Sequence, residues 1–282
     1  MIRNILVFID GSSSSKAATL AAIKIAREQK ANLVGMAIVH EPGISAGRST
    51  SIGGSSFEYI TDNEQLVDAS TRAAGWLATF ECRCRSAGVP AEVLKIVGRP
   101  AQSLLAEIGR HDLTLIGSEA NFQFETMREI RSTREKVLRR ASRPVLLIPD
   151  GTDGASGSLG PRVLIAYDGG QAAERALASF AISGLGQSRE VHIATVGDDG
   201  AKAMEIAMQA ADSLRASGIK ATAHSIVSVL PDCDALVEFG TKLGAGLVVM
   251  GAFARSRIKE LFSGSLTRTL VMSSPTPIYL QH

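Results

Sequence analysis

The stretch IRNILVFIDGSSSSKA at residues 2–17 is matched by PRVLIAYDGGQAAERA at residues 161–176. Each gives a polar or basic residue, an apolar run, Asp-Gly and then a segment of helical composition, so Asp10 and Asp168 hold the same place. The match continues, with HDLTLIGSEA (111–120) aligning with AGLVVMGAFA (245–254) and RPVLLIP (143–149) with TPIYL (276–280), which makes Gly117 the counterpart of Gly251. A self-similar chain is read as copies of one unit before any other assignment is made. The aspartates lie 158 positions apart and the glycines 134, so the first copy carries about 24 extra residues, most of them in HEPGISAGRSTSIGGSSFEY (40–59). This Gly/Ser-rich stretch reads as a long loop following a strand. DGTDGASGSLGP (150–161) has little to bury and reads as a flexible linker. The expected organisation is therefore a first domain at 1–150, a linker at 151–160 and a second domain at 161–282.

Within each copy, short apolar runs of strand length alternate with longer amphipathic segments. The first copy reads as strands at 3–9, 32–39, 91–97, 112–117 and 144–148, with helices at 14–29, 61–87, 100–109 and 129–141. The second reads as strands at 162–167, 189–196, 220–226, 246–250 and 276–280, with helices at 171–183, 200–217, 231–243 and 265–273. Runs such as ILVFI and LVVM are apolar throughout, as in strands covered by helices on both faces. The fold class that follows is α/β, with two tandem doubly wound, Rossmann-like units, each a five-stranded parallel sheet flanked by helices.

Composition narrows the function. With 282 residues, 45% of them apolar, each half can bury its own core. The 30 Lys and Arg against 28 Asp and Glu leave a net charge of +2, and aromatic residues make up 5% with one Trp, Trp76. This balance argues against a nucleic-acid partner, which calls for basic surfaces or stacking platforms. The cations between Arg128 and Arg143 are interrupted by Glu129 and Glu135 and read as a solvated helix face. No apolar run approaches the ~20 residues of a membrane span, and the N-terminus lacks the pattern of a signal peptide. Three cysteines, Cys82, Cys84 and Cys233, are an odd number and point to free thiols and a cytoplasmic location. The five histidines form no metal-binding motif, and His40, at a strand end, is the one singled out.

Ligands of open parallel sheets bind beyond the carboxyl ends of the strands. Asp168 ends the first strand of the second copy, where it can accept hydrogen bonds from a ribose hydroxyl or an adenine amino group. Gly251 follows LVVM, where the missing Cβ permits close backbone approach. Gly264, Ser265, Leu266 and Thr267 open a predicted helix whose free N–H groups suit an anion, and Arg255, Arg257 and Lys259 add positive charge. Taken singly, Asp-Gly is an ordinary turn and Gly-Ser an ordinary cap. Their joint spacing sketches a nucleotide pocket.

These residues, from the apolar strand ending in Asp to GAFARSRIKELFSGSLTRTL and TPIYL, resemble the universal stress protein family in its tandem form. The resemblance covers both halves apart from the linker and the first-half loop. It implies an adenine nucleotide alpha hydrolase-like fold and an adenine nucleotide ligand, ATP or else AMP or ADP, with or without magnesium. In ATP-binding members the signature is Gly, two residues, Gly, nine residues, Gly, then Ser or Thr. Here Gly251 and Gly264-Ser265 keep that spacing, while Ala254 replaces the middle glycine. An alanine forced into left-handed backbone costs roughly 1–2 kcal/mol, enough to weaken a site without abolishing it. The resemblance assigns the base pocket to Ala166 and Val196, an adenine or ribose contact to Asp168, and the ribose and phosphates to Gly251, Gly264, Ser265 and Thr267, and it counts Tyr167, Met250, Ala254, Arg255 and Leu266 among the nucleotide-binding residues. It also implies that strands 144–148 and 276–280 pair, so that one chain mimics a dimer, and it leaves room for a homodimer.

The first copy keeps Asp10 and Gly117 but has Ala120, Ile130 and Arg131 where the glycines and serine should fall, and Glu119 adds negative charge. Its site is expected to be degenerate. Catalytic signatures such as GxxxxGK[ST] or GxSxG are missing, so nucleotide turnover, if any, is expected to be slow. Two other readings stand beside the leading one, a nucleotide-free scaffold or chaperone-like interaction protein and a weak ATP hydrolase.

Overall fold

The computed structural model describes residues 1–40, 55–120, 133, 136–151, 158–251 and 274–282. The first half contributes β1 (Asn4–Phe8), α1 (Ser13–Gln29), β2 (Asn32–Val39), α2 (Ser55–Ser86), β3 (Ala91–Val97), α3 (Pro100–Ile108), β4 (Leu113–Gly117), a helical stretch at 136–140 and β5 (Val145–Ile148). The second contributes β6 (Arg162–Ala166), α4 (Gln171–Ser183), β7 (Glu190–Val196), α5 (Gly200–Ala216), β8 (Ala221–Ile226), α6 (Asp232–Leu243), β9 (Leu247–Gly251) and β10 (Ile278–Gln281). Helix α2 starts at Ser55, ahead of the expected 61, because Phe57-Glu58-Tyr59-Ile60 contains no Gly or Pro to stop it. The expected helix at 265–273 lies outside the described residues, as does 41–54 of the expected loop.

Each half is a five-stranded parallel sheet, and the two are joined edge to edge. The strand order is β3-β2-β1-β4-β5-β10-β9-β6-β7-β8 in one ten-stranded sheet. The only antiparallel pairing among the described residues joins β5 to β10, with Leu146 opposite Tyr279. The implied pairing of the last strands is therefore present, and it covers two edges that would otherwise offer unpaired backbone groups.

The strands are buried on both faces because alternate residues feed two helical layers. Ile5 and Val7 of β1 pack under α1 and α2, in a core continuous with that under α4 and α5, whereas Leu6 and Phe8 face the layer built on α3 and 136–140. Helix α1 lays Ala18, Ala21, Ala22 and Ala26 on the sheet, which brings its axis close. The halves also meet away from the seam. The Met1 amino group donates to the Ile182 carbonyl, and nearly buried Arg189 reaches Glu28 at 3.9 Å.

The linker departs from its reading as fully flexible. Leu159 is 1% exposed, and Gly160 lies so close to Gly246 that a Cβ there would sit 2.9 Å from the Gly246 Cα. Two facing glycines let the chain dive into the core before β6 begins. Residues 152–157 lie outside the described residues.

Candidate functional site

Of the second-half residues expected to bind a ligand, the described ones, Ala166, Tyr167, Asp168, Val196, Met250 and Gly251, lie at or just past the carboxyl ends of β9, β6 and β7. Ala166 is register partner of both Met250 and Ala194, and Val196 follows two residues after Ala194 at the half-buried end of β7. Ala166 and Met250 are buried on the α6 face, where with Leu164, Cys233, Leu236 and Ile278 they line a cavity of about 150 Å³. Tyr167 turns to the opposite face, and its N–H donates to the Ala194 carbonyl at 3.0 Å. Burial, then Glu174 and Asp168, push its phenol upward, so it stays a neutral hydrogen-bonding group. Ala254, Arg255, Gly264, Ser265, Leu266 and Thr267 lie outside the described residues.

Asp168 is half-buried, and its Oδ1 accepts from the Gly170 N–H at 2.9 Å. Gly169 takes φ +73°, the left-handed turn that Asp-Gly favours. Helix α4 then starts at an N-cap, Gly170, that makes no side-chain capping bond, and Glu174 stands in its first turn. Gly251 packs directly on this helix start: a Cβ there would lie 2.6 Å from both Ala172 O and Ala173 N. The missing side chain thus has a packing reason inside the protein, separate from the ligand approach expected of it.

The first half repeats the geometry with different chemistry. Gly117 faces α1 as Gly251 faces α4, with a Cβ position 2.8 Å from Ser14 C and Ser15 N. Around Asp10, however, serines engage the carboxylate and the helix start. Asp10 Oδ1 accepts from the Ser12 N–H at 2.9 Å and from its hydroxyl at 2.6 Å, while Ser12 Oγ accepts from the Ser15 N–H at 3.1 Å. Ser14 Oγ accepts from the Glu119 N–H at 3.3 Å, and Ser13 donates to Asp150 at 2.7 Å. The Trp76 indole covers Gly11, where a Cβ would meet Nε1 at 2.6 Å. Ala120 is buried in the α3-side core, while Ile130 and Arg131 lie outside the described residues. Ser12→Ala should cost about 1 kcal/mol, the usual worth of an N-cap; urea unfolding checks it, and an unchanged midpoint would show that Ser12 caps nothing of consequence.

The thiols are free, and burial with Glu81 pushes Cys84 up to about 11. No group of three or more His, Cys, Asp or Glu among the described residues converges on a metal, and no described helix is long and apolar enough to cross a membrane. Sequence reading missed one cluster, His192 with His224. They are 32 positions apart, and only the parallel register of β7 and β8, which sets Ala194 beside His224, brings them together.

A ten-stranded sheet made of two doubly wound halves, each following its first strand with Asp-Gly and ending its fourth in a glycine packed on a helix start, defines a tandem α/β protein. The family model described as the universal stress protein family matches residues 1–149 and again 161–281, and the chain belongs to that family. Universal stress protein Slr1230 of Synechocystis sp. is 24% identical over 290 residues, covering 98% of this chain and 99% of that protein. A solved universal stress protein from Archaeoglobus fulgidus shares 20% identity with a TM-score of 0.72, over 98% of this chain and 97% of the other. A family protein from Arabidopsis thaliana, solved with AMP bound, aligns with 54% of this chain and 94% of its own at 15% identity and a TM-score of 0.36.

Proposed function

We propose that this chain is a stress-response module whose second domain, 161–282, holds one adenine nucleotide, while the first domain, 1–150, has lost that role. The observation that carries this reading is the contrast between the two helix starts. Helix α1 is capped by Ser12 within a net of serines around Asp10, whereas α4 begins at Gly170 with no side-chain cap beside Asp168. Uncapped N–H groups next to a carboxylate at a sheet's switch point suit a ligand with hydroxyl donors and anionic groups. In this reading Asp168 accepts from ribose or the adenine amino group, Ala166 and Val196 flank the base, and Gly251, Ala254, Arg255, Gly264, Ser265, Leu266 and Thr267 take the ribose and phosphates. ATP is the ligand, magnesium arrives with its phosphates, and the function is binding.

Equilibrium dialysis tests the proposal. Wild type should bind one ATP per chain, Asp168→Ala and Gly264→Val should weaken it at least tenfold, about 1.4 kcal/mol, and Asp10→Ala should leave it unchanged. Equal, negligible binding by all four proteins would overturn it. A scaffold reading draws on a different observation: Val227, Val229 and Leu230, just past β8, are 63, 104 and 43% exposed. Mass spectrometry of gently denatured protein separates the two, since co-purified adenine nucleotide supports binding and its absence the scaffold.

A further inference from the structure

His192 Nδ1 and His224 Nε2 lie 3.0 Å apart, with ring centroids at 5.2 Å. Phe239 of α6 rests against His224 at 5.1 Å, and α6 packs on β6 and β7. His192 Nε2 is buried and has no hydrogen-bond partner among the described residues.

The four ring nitrogens limit how many protons the pair can hold. A neutral pair has two, one of them between the rings. When His192 Nδ1 donates to His224 Nε2, the other proton sits on His224 Nδ1 and His192 Nε2 is bare, so no buried N–H is orphaned. A third proton fills both outer nitrogens and places an N–H on His192 Nε2, where no acceptor lies among the described residues. A fourth sets two donors against each other across 3.0 Å. Every charged state therefore strains this arrangement, and relief requires that the rings reach water.

We propose that the His192–His224 pair is an acid-sensitive latch, which holds α6 on the outer strands while neutral and releases it when protonated. The charged groups on the elements packed here are Arg162 and Glu190, bonded to each other at 3.2 Å, and on α6 Asp232 and Asp234 in the first turn and Glu238 paired with Lys242. Burial holds both imidazoles below their ordinary 6.5; Glu190 partly opposes this at His192 and Arg162 adds to it, while His192 adds to it at His224. The released form thus binds more protons than the docked form. Docking is strongest above about pH 6.5 and is lost as pH falls below it, by up to about tenfold per pH unit for each proton taken up. The latch does not depend on the nucleotide reading.

Hydrogen exchange of residues 235–243, corrected for intrinsic chemistry, tests the latch between pH 7.5 and 5.5. Wild type should exchange at least tenfold faster at the lower pH, and His192→Asn/His224→Gln should show no such rise. A flat wild-type profile, or the same rise in both proteins, overturns it. If the double variant does not fold, imidazole C2–H titration of wild type decides. Coupled titration below 6.5 that tracks α6 resonances supports the latch, and independent midpoints at 6.5 with α6 unmoved overturn it.

Discussion

Gly251→Ala is expected to destabilise the protein by about 1–3 kcal/mol, the usual range for overpacking, with Gly251→Val costing more. The added Cβ would meet Ala172 O and Ala173 N at 2.6 Å, and both are backbone atoms that cannot rotate aside. Helix α4 would have to lift, and with it Ala176, Leu177 and Phe180, which sit in the main core. Gly117→Ala should behave alike, because Ser14 and Ser15 crowd it in the same way. Gly75, with nothing within 4 Å of its Cβ position on α2, supplies the control. Gly75→Ala should be neutral or stabilising by about 0.4–1 kcal/mol. Urea unfolding of the four variants is the measurement. A glycine kept only for a ligand would lose ATP binding on substitution by alanine and leave the unfolding midpoint where it was. That outcome would return Gly251 to the role its sequence position first indicated.

The same residue shows what could be read without coordinates. Apolar runs such as ILVFI and LVVM located β1 and β9 because strands buried on both faces leave no polar residue in the pattern. The bounds 171–183 of α4 were legible because Asp-Gly-Gly precedes the helix and Gly184 ends it in a left-handed turn. Position at a strand end marked Gly251, but that the space beside it belongs to Ala172 depends on how close an alanine-rich helix settles on the sheet, which no local pattern encodes. Leu159 was hidden by its Gly/Ser surroundings, since its burial depends on Gly246, 87 positions later. His192 and His224 depended on register between strands separated by all of α5. The first half's departure from the glycine pattern was legible from Ala120 and Ile130-Arg131, but the bonding of Ser12 to Asp10 and of Ser14 to Glu119 was not, because a serine run before a helix reads equally well as simple capping.

Tyr279→Ala should cost about 3–5 kcal/mol, as other buried aromatic truncations do. Tyr279 is 1% exposed, its hydroxyl lies 2.7 Å from Ser179 Oγ, and its ring meets Phe180 edge-on at 6.0 Å. Tyr279→Phe keeps the ring and should cost about 1 kcal/mol, the net worth of a hydrogen bond. Burial pushes the phenol up, so the native state resists its ionisation; the stability this group supplies is present below pH 10 and falls as pH rises further, and Tyr279→Phe should lose less there. The position also tests whether the halves unfold together. β10 carries Tyr279 between Leu146 of β5 and Val249 of β9, and Leu146, Ile148, Val163 and Tyr279 belong to one core. Two domains tied only by a linker would respond to Tyr279→Ala with an early transition for residues 161–282 and an unaltered one for 1–150. A shared sheet instead predicts one calorimetric transition that moves down as a whole, because losing β10 would expose the edge of β5 and strip Leu146 of its cover. Two separated transitions in the variant would mean that the seam joins the halves without making them one cooperative unit.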